Sequence, residues 1–283
     1  MKTTGLPIDG DKKEFNKFNQ IRRKMLYNDS FNNYLRKIGY EPYPDDNICP
    51  ETESLIVYGY PDEINYPYVR SLTSIHDNDN GWFNLEVFNK NEQKQGVTLK
   101  ELLPDKFLSE TLNGRYSGKF IYVSMGSMGS VDLDLMNRLL NTLSKTDHKY
   151  IISKGPRHKE YEIKFPNQWG DRYLPQMALL PLVDLVITHG GNNSVTETFA
   201  LGKPMIVLPL FADQFDNGQR LQETGYGIQL HPYHHTEKQL IHAIDQLLYD
   251  EQLKAKLQRA SARIQSQDSH LKLALKIERM FGA

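Results

Sequence analysis

The chain is nearly free of cysteine: Cys49 is the single one among 283 residues. That excludes an intrachain disulfide framework and fits a reducing compartment. It also lacks a long apolar run. Nothing approaches the roughly 18 consecutive apolar residues of a membrane-spanning helix, so no membrane partner is expected. Charge of one sign is lacking as well. Its 34 Lys and Arg against 35 Asp and Glu leave a net charge of −1, and no basic field invites nucleic acid or an anionic lipid surface. The opening residues, MKTTGLPIDGDKKEF, have no apolar stretch of the kind a secretion signal needs. There is no internal repeat. These absences lead us to expect a soluble, cytoplasmic chain, long enough for two domains.

What is present changes character near residue 118. Upstream, residues 11–40 read as a charged, moderately amphipathic helix, and Leu55–Tyr58 as a short strand before the Gly59-Tyr60-Pro61 turn. Residues 76–100 are polar and poor in periodicity, which predicts a mobile stretch. From Lys119 onward, apolar runs at 119–124, 148–153, 185–188, 205–210 and 227–230 alternate with helical patterns at 131–144, 194–201, 216–224, 236–248 and 251–265. A last helix is expected over 270–281. Alternation of this kind predicts a parallel sheet wrapped by helices, an α/β fold.

Two glycine turns stand out. Leu185–Thr188 is a continuous apolar run, as expected of a parallel strand buried on both faces. It leads into His189, Gly190 and Gly191, then Asn192, Asn193 and Ser194. Paired glycines allow a sharp turn and a close approach of backbone to ligand. Asn193 or Ser194 suits a helix N-cap, and Ser194 with Glu197 has capping-box spacing. The helix should stop at Gly202, just ahead of Lys203-Pro204. A glycine turn that feeds a helix N-terminus offers free N–H groups and a positive dipole end, an anion site suited to pyrophosphate. The second turn, Gly126-Ser127-Met128-Gly129-Ser130, joins the strand at 119–124 to the helix at 131–144, with Ser130 as the expected N-cap and Asp132 and Asp134 in the first turn.

Two other patterns are set aside. His231, His234 and His235 surround Pro232 but have no acidic residue at ligand spacing, so they read as a solvated loop rather than a metal centre. Asp77-Asn78-Asp79-Asn80-Gly81 has the look of a calcium loop, yet the position that needs a bidentate glutamate falls on Phe88. No metal is expected.

The stretch 173–217 closely resembles the donor signature of the UDP-glycosyltransferases of glycosyltransferase family 1. That signature reads aromatic-x-Pro-Gln, His-x-Gly-x-Asn-Ser-x-x-Glu, Gly-x-Pro and Asp-Gln-x-x-Asn. The chain has Tyr173-Leu-Pro175-Gln176, His189-Gly-Gly191-Asn-Asn193-Ser194-Val-Thr-Glu197, Gly202-Lys-Pro204 and Asp213-Gln214-Phe-Asp-Asn217. The resemblance implies the GT-B architecture: a complete C-terminal Rossmann-like domain and an N-terminal Rossmann-like domain that is only partial here. It implies a base-stacking role for Tyr173, where the family has a tryptophan, and places Gln176 near the ribose and uracil. His189, Asn193, Ser194 and the backbone around Gly191 would hold the diphosphate, with Ser127 approaching it. Glu197 would accept from the ribose hydroxyls, and Asp213 and Gln214 from the sugar.

The implied reaction is inverting transfer of a hexosyl group from a UDP-sugar, here a substrate rather than a cofactor, to a small lipophilic acceptor, as in detoxification. The family's general base is an N-terminal histidine, suited to the task by its pKa. Nothing in this chain matches it; His76 lies in the polar stretch, and no catalytic residue is assigned. The expected division is a remnant of the acceptor-side domain over 1–80, a linker over 81–117, the donor domain over 118–269 and a final helix over 270–283. Residues 1–80 are expected to be loosely ordered or covered by another chain. The alternative function is a non-catalytic UDP-sugar-binding module that pairs with a full-length relative. An unrelated Rossmann nucleotide binder, such as a sugar epimerase, suffers from the lack of a G-x-G-x-x-G.

Overall fold

The computed structural model describes residues 28–42, 55–66, 81–89, 97–112 and 118–282. The expectations for residues 11–27, for His76 and for Asp77–Asn80 fall outside them. In the N-terminal part, helix α1 spans Asn28–Lys37, strand β1 Ile56–Tyr58, strand β2 Trp82–Asn84, and helices α2 and α3 Leu99–Leu102 and Asp105–Leu112. Then follow β3 Phe120–Ser124, α4 Gly126–Gly129, α5 Leu133–Leu143, β4 Lys149–Ser153, β5 Gln168–Asp171, α6 Gln176–Leu179, β6 Leu185–Thr188, α7 Asn192–Ala200, β7 Met205–Val207, α8 Gln214–Glu223, β8 Gly227–Gln229, α9 Glu237–Tyr249, α10 Glu251–Ser266 and α11 Ser269–Phe281.

The six later strands form one sheet in the order β5-β4-β3-β6-β7-β8, parallel throughout. Its central strands are apolar and buried on both faces; all four residues of β6 are inaccessible. Helix α5 shows why the flanking helices stay in place. Asp132 caps it by accepting from the Leu135 N–H at 3.0 Å, and Leu135, Met136, Leu139, Leu140 and Leu143 are buried against the sheet. Each of these contributes roughly 1.5–3 kcal/mol relative to exposure. Ser130, expected as the cap, instead donates to the Gly126 carbonyl at 2.6 Å and is buried. The cap falls two residues later because Gly126–Gly129 forms its own helical turn. Helix α7 ends as expected, with Gly202 in the left-handed region at φ +66.

Three expectations need correction upstream. The stretch 76–100 is not uniformly irregular: β2 pairs in parallel with β1, and Phe83, Leu85 and Val87 are buried. Their alternation at period two is hidden among polar neighbours. Residues 81–117 are not a bare linker, since Leu103 and Phe107 belong to the core. The fully buried Lys149 donates to the Phe107 and Pro166 carbonyls at 3.0 and 3.2 Å and lies 4.4 Å from the Phe107 ring. Nor are residues 55–66 loose. Tyr60 and Ile64 join the main core, and Arg220 donates to the Ile64 and Asn65 carbonyls at 2.9 and 3.1 Å. Arg263 forks onto Glu63 at 2.7 and 2.6 Å and onto Glu86 at 2.9 and 2.6 Å. Among the described residues, no helix is long and apolar enough to cross a membrane.

Candidate functional site

The chain leaves β3 for β4 and β5 on one side of the sheet, then returns to β6 and continues to β8 on the other. The carboxyl ends of β3 and β6 therefore mark a topological switch point, where open α/β sheets form their ligand crevice. Ser124 and Thr188 are register partners at that edge, so the two glycine turns emerge side by side. The His189 ring fills the space between them. A Cβ on Gly126 would stand 2.7 Å from its Cε1 and Nε2, and one on Gly191 would stand 2.6 Å from Nε2. Neither position tolerates a side chain unless the imidazole moves. Gly190 adopts φ +86, and a Cβ there would meet Val207 Cγ1 at 2.5 Å.

Helix α7 starts at this turn with Gly191 as its N-cap. The expected capping box of Ser194 and Glu197 is absent because the helix begins two residues earlier, which puts both residues inside it. The Asn192 N–H donates to Asp213 Oδ2 at 3.2 Å, a carboxylate favoured by the positive end of the helix. The N–H groups of Asn193 and Ser194, the next two of the first turn, have no intrahelical acceptor, as at any helix start. Asn217 donates to the Gly190 carbonyl at 2.8 Å and to Asp213 Oδ2 at 3.2 Å, which locks the turn to α8. Ala212, just before Asp213, has φ +56, a strained conformation for a non-glycine residue. Burial pushes the His189 imidazole below its ordinary pKa, against hydrogen bonding to the Ser124 backbone and the charge of Asp213.

Glu197 lies one helical turn deeper and is only 6% exposed. Its Oε2 accepts from Gln176 Nε2 at 2.7 Å and its Oε1 from Asn89 Nδ2 at 2.8 Å. Tyr173 is not a core aromatic: it is 57% exposed, with the Arg172 guanidinium 5.1 Å from its ring centre. Ser127 and Asn193 are exposed, and Ser194 is half-buried. Gln214 is buried, and its Oε1 accepts from the Leu210 and Phe211 N–H groups at 2.8 and 3.1 Å. That oxygen shapes the loop after β7. Asp213 occupies the N-cap position of α8, yet its side chain makes no cap bond there and serves α7 instead. Sequence reasoning assigned nothing to Asn89 and Asn192. Asn192 lies inside the signature, and its Nδ2 donates to the Gly59 carbonyl at 3.2 Å. Asn89 carries no local signal, since its partner is 108 residues away.

A parallel sheet with two glycine turns and a helix N-terminus at its switch point has the doubly wound, Rossmann-like α/β arrangement. Solved structures narrow the fold to the GT-B architecture. The glycotransferase of kitacinnamycin superposes with a TM-score of 0.69 at 17% identity, over 94% of this chain and 67% of that one. The glycosyltransferase VinC, solved in complex with DTDP, does so with a TM-score of 0.57 at 17% identity, over 95% and 63%. The family model described as UDP-glucoronosyl and UDP-glucosyl transferase matches residues 104–269, more than half of the chain, and the protein belongs to that family. Human 2-hydroxyacylsphingosine 1-beta-galactosyltransferase is 30% identical over 180 residues, 62% of this chain and 33% of that protein. Human UDP-glucuronosyltransferase 1A9 is 36% identical over 93 residues, 32% of this chain and 18% of that protein. The chain thus spans a third or less of the length of these curated relatives.

Proposed function

We propose that the crevice at the carboxyl ends of β3 and β6 binds a UDP-sugar, and that the chain is the donor half of a UDP-dependent glycosyltransferase. The observation that carries this reading is the wedging of the His189 ring between Gly126 and Gly191, at the open N-terminus of α7. Small turns there let oxyanions approach backbone N–H groups closely. The His189 ring adds a donor to the diphosphate, with the side chains of Ser127, Asn193 and Ser194 around it. Tyr173 offers an exposed ring to the base. Gln176 and Glu197 meet the ribose, and Asp213 and Gln214 lie toward the sugar.

The transfer itself is an inverting displacement at the anomeric carbon by an acceptor hydroxyl, with UDP as the leaving group. Developing charge on the diphosphate is stabilised by the turn N–H groups and the α7 dipole. The acceptor proton goes to a general base in the part of the relatives that this chain does not span. Small lipophilic acceptors, and hence a role in detoxification, follow from the family resemblance. Titration calorimetry with UDP, UDP-glucose and NAD tests the donor site. Heat is expected with both uridine ligands and little with NAD; silence with both at millimolar concentration would remove the basis of this reading.

A further inference from the structure

We infer that Asn89 is a positioning residue of the ribose pocket. It orients the Glu197 carboxylate for a vicinal diol, and it is delivered there by the β1–β2 segment. The inference rests on the donor-site reading above and adds to it a residue from outside the glycosyltransferase signature.

A carboxylate has two acceptor directions on each oxygen. Asn89 occupies one on Oε1 and Gln176 one on Oε2, which leaves one on each. Two amides from different elements hold opposite oxygens, so the carboxylate cannot rotate about its own axis. The two remaining directions suit a pair of adjacent hydroxyl donors, and a ribonucleotide presents its 2′ and 3′ hydroxyls in that form. Hydrogen bonds to a charged acceptor are the stronger kind, so orientation at this carboxylate bears directly on which sugar fits.

Asn89 is placed by a built scaffold. Glu86, three residues before it, holds a left-handed φ of +64, strain that persists only where the surroundings over-determine it. Here they do. Arg263 pairs with both Glu86 oxygens, and Glu86 Oε1 also accepts from the Asp62 N–H at 3.0 Å. Phe88 packs so closely on Gly59 that a Cβ there would stand 2.8 Å from its ring. The Phe88 carbonyl lies 3.0 Å from His270 Nε2. Asn192, in the glycine turn, holds the Gly59 carbonyl from the other side. The β1–β2 segment is thereby tied both to α10–α11 and to the donor turn, and it ends with an amide on Glu197.

The test compares UDP, 2′-deoxyuridine diphosphate and inorganic pyrophosphate by titration on the full chain. The unchanged protein is expected to prefer UDP to its deoxy analogue. Asn89→Ala should weaken UDP about tenfold, the scale of one hydrogen bond to a charged group. It should weaken the deoxy analogue much less and leave pyrophosphate unchanged, so the ribose preference shrinks. Asn89→Asp, which sets a second carboxylate against Glu197, should weaken UDP further. Asn89 is exposed, and unchanged circular dichroism in both variants is the folding control. Equal losses for all three ligands, no loss of UDP, or no ribose preference in the unchanged protein would each overturn the inference while the donor site stands. Failure of the unchanged protein to bind UDP at all would take down the donor-site reading itself.

Discussion

His189 is the residue in which turn chemistry and packing meet. It fills the space that two glycines leave, so its removal opens a gap at the ligand edge rather than in the apolar core. His189→Ala is expected to weaken UDP by about 1.5–3 kcal/mol, the range for a hydrogen bond to a charged group, while circular dichroism stays native. Loss of fold together with binding would instead mark the ring as a structural wedge. The residue also predicts a pH effect of definite sign. Its folded-state pKa lies below the unfolded value near 6.5, mainly through burial, so the unfolded chain takes up the proton first. The stability this neutral ring contributes is complete above about pH 6.5 and declines as pH falls below it. Thermal melts at pH 7.5 and 5.5 should show a smaller drop for His189→Gln than for the unchanged protein. His231 and His235, whose pKa values are also lowered, contribute equally to both and cancel.

At the scale of elements, legibility followed burial on two faces. The runs at 119–124, 148–153 and 185–188 are plain in the sequence because the residues of a strand buried on both sides form a short apolar stretch. Strand β5, Gln-Trp-Gly-Asp, gave no such signal: it is an edge strand with a mixed burial pattern. Strand β2 was lost among polar neighbours. The start of α7 was misplaced by two residues because Asn193 and Ser194 are good caps by type, while the glycine turn lets the helix begin before them. The place of the two turns was legible, but the partners that fix them, Asp213 on the Asn192 N–H and Asn89 on Glu197, are long-range and invisible to local reading. The corrected helix start sharpens a prediction for Glu197→Gln. Glutamine has one acceptor oxygen where two amide donors converge, so the ribose side is disrupted. Asp213, not Glu197, steadies the α7 N-terminus. UDP should weaken while inorganic pyrophosphate binds nearly unchanged. Equal loss of both would point to a helix-positioning role for Glu197.

At the scale of the molecule, residues 55–66 and 81–89 pack with the donor domain as one body. Arg220 and Arg263 hold the segment through backbone carbonyls and two carboxylates, and Glu86 is 3% exposed. Loss of Arg263 would leave the buried Glu86 carboxylate without its cation, a costly one-sided break. That body carries the proposed donor contacts and no assigned base. We therefore expect the 283-residue chain to bind donor yet conjugate acceptors at a rate near background. General-base catalysis alone is worth about 10²–10⁴-fold, and an unpositioned acceptor forfeits the proximity contribution too. Fusion of a relative's N-terminal acceptor domain ahead of Met1, or its addition in trans, should raise the rate. The readout is UDP release with and without a phenolic acceptor. Robust acceptor-dependent release by the chain alone would show that a base lies among these residues. The first place to look would be the exposed rim of the switch-point crevice, since His189, half-buried between its glycines and proposed to face the diphosphate, is poorly placed to take a proton from the acceptor.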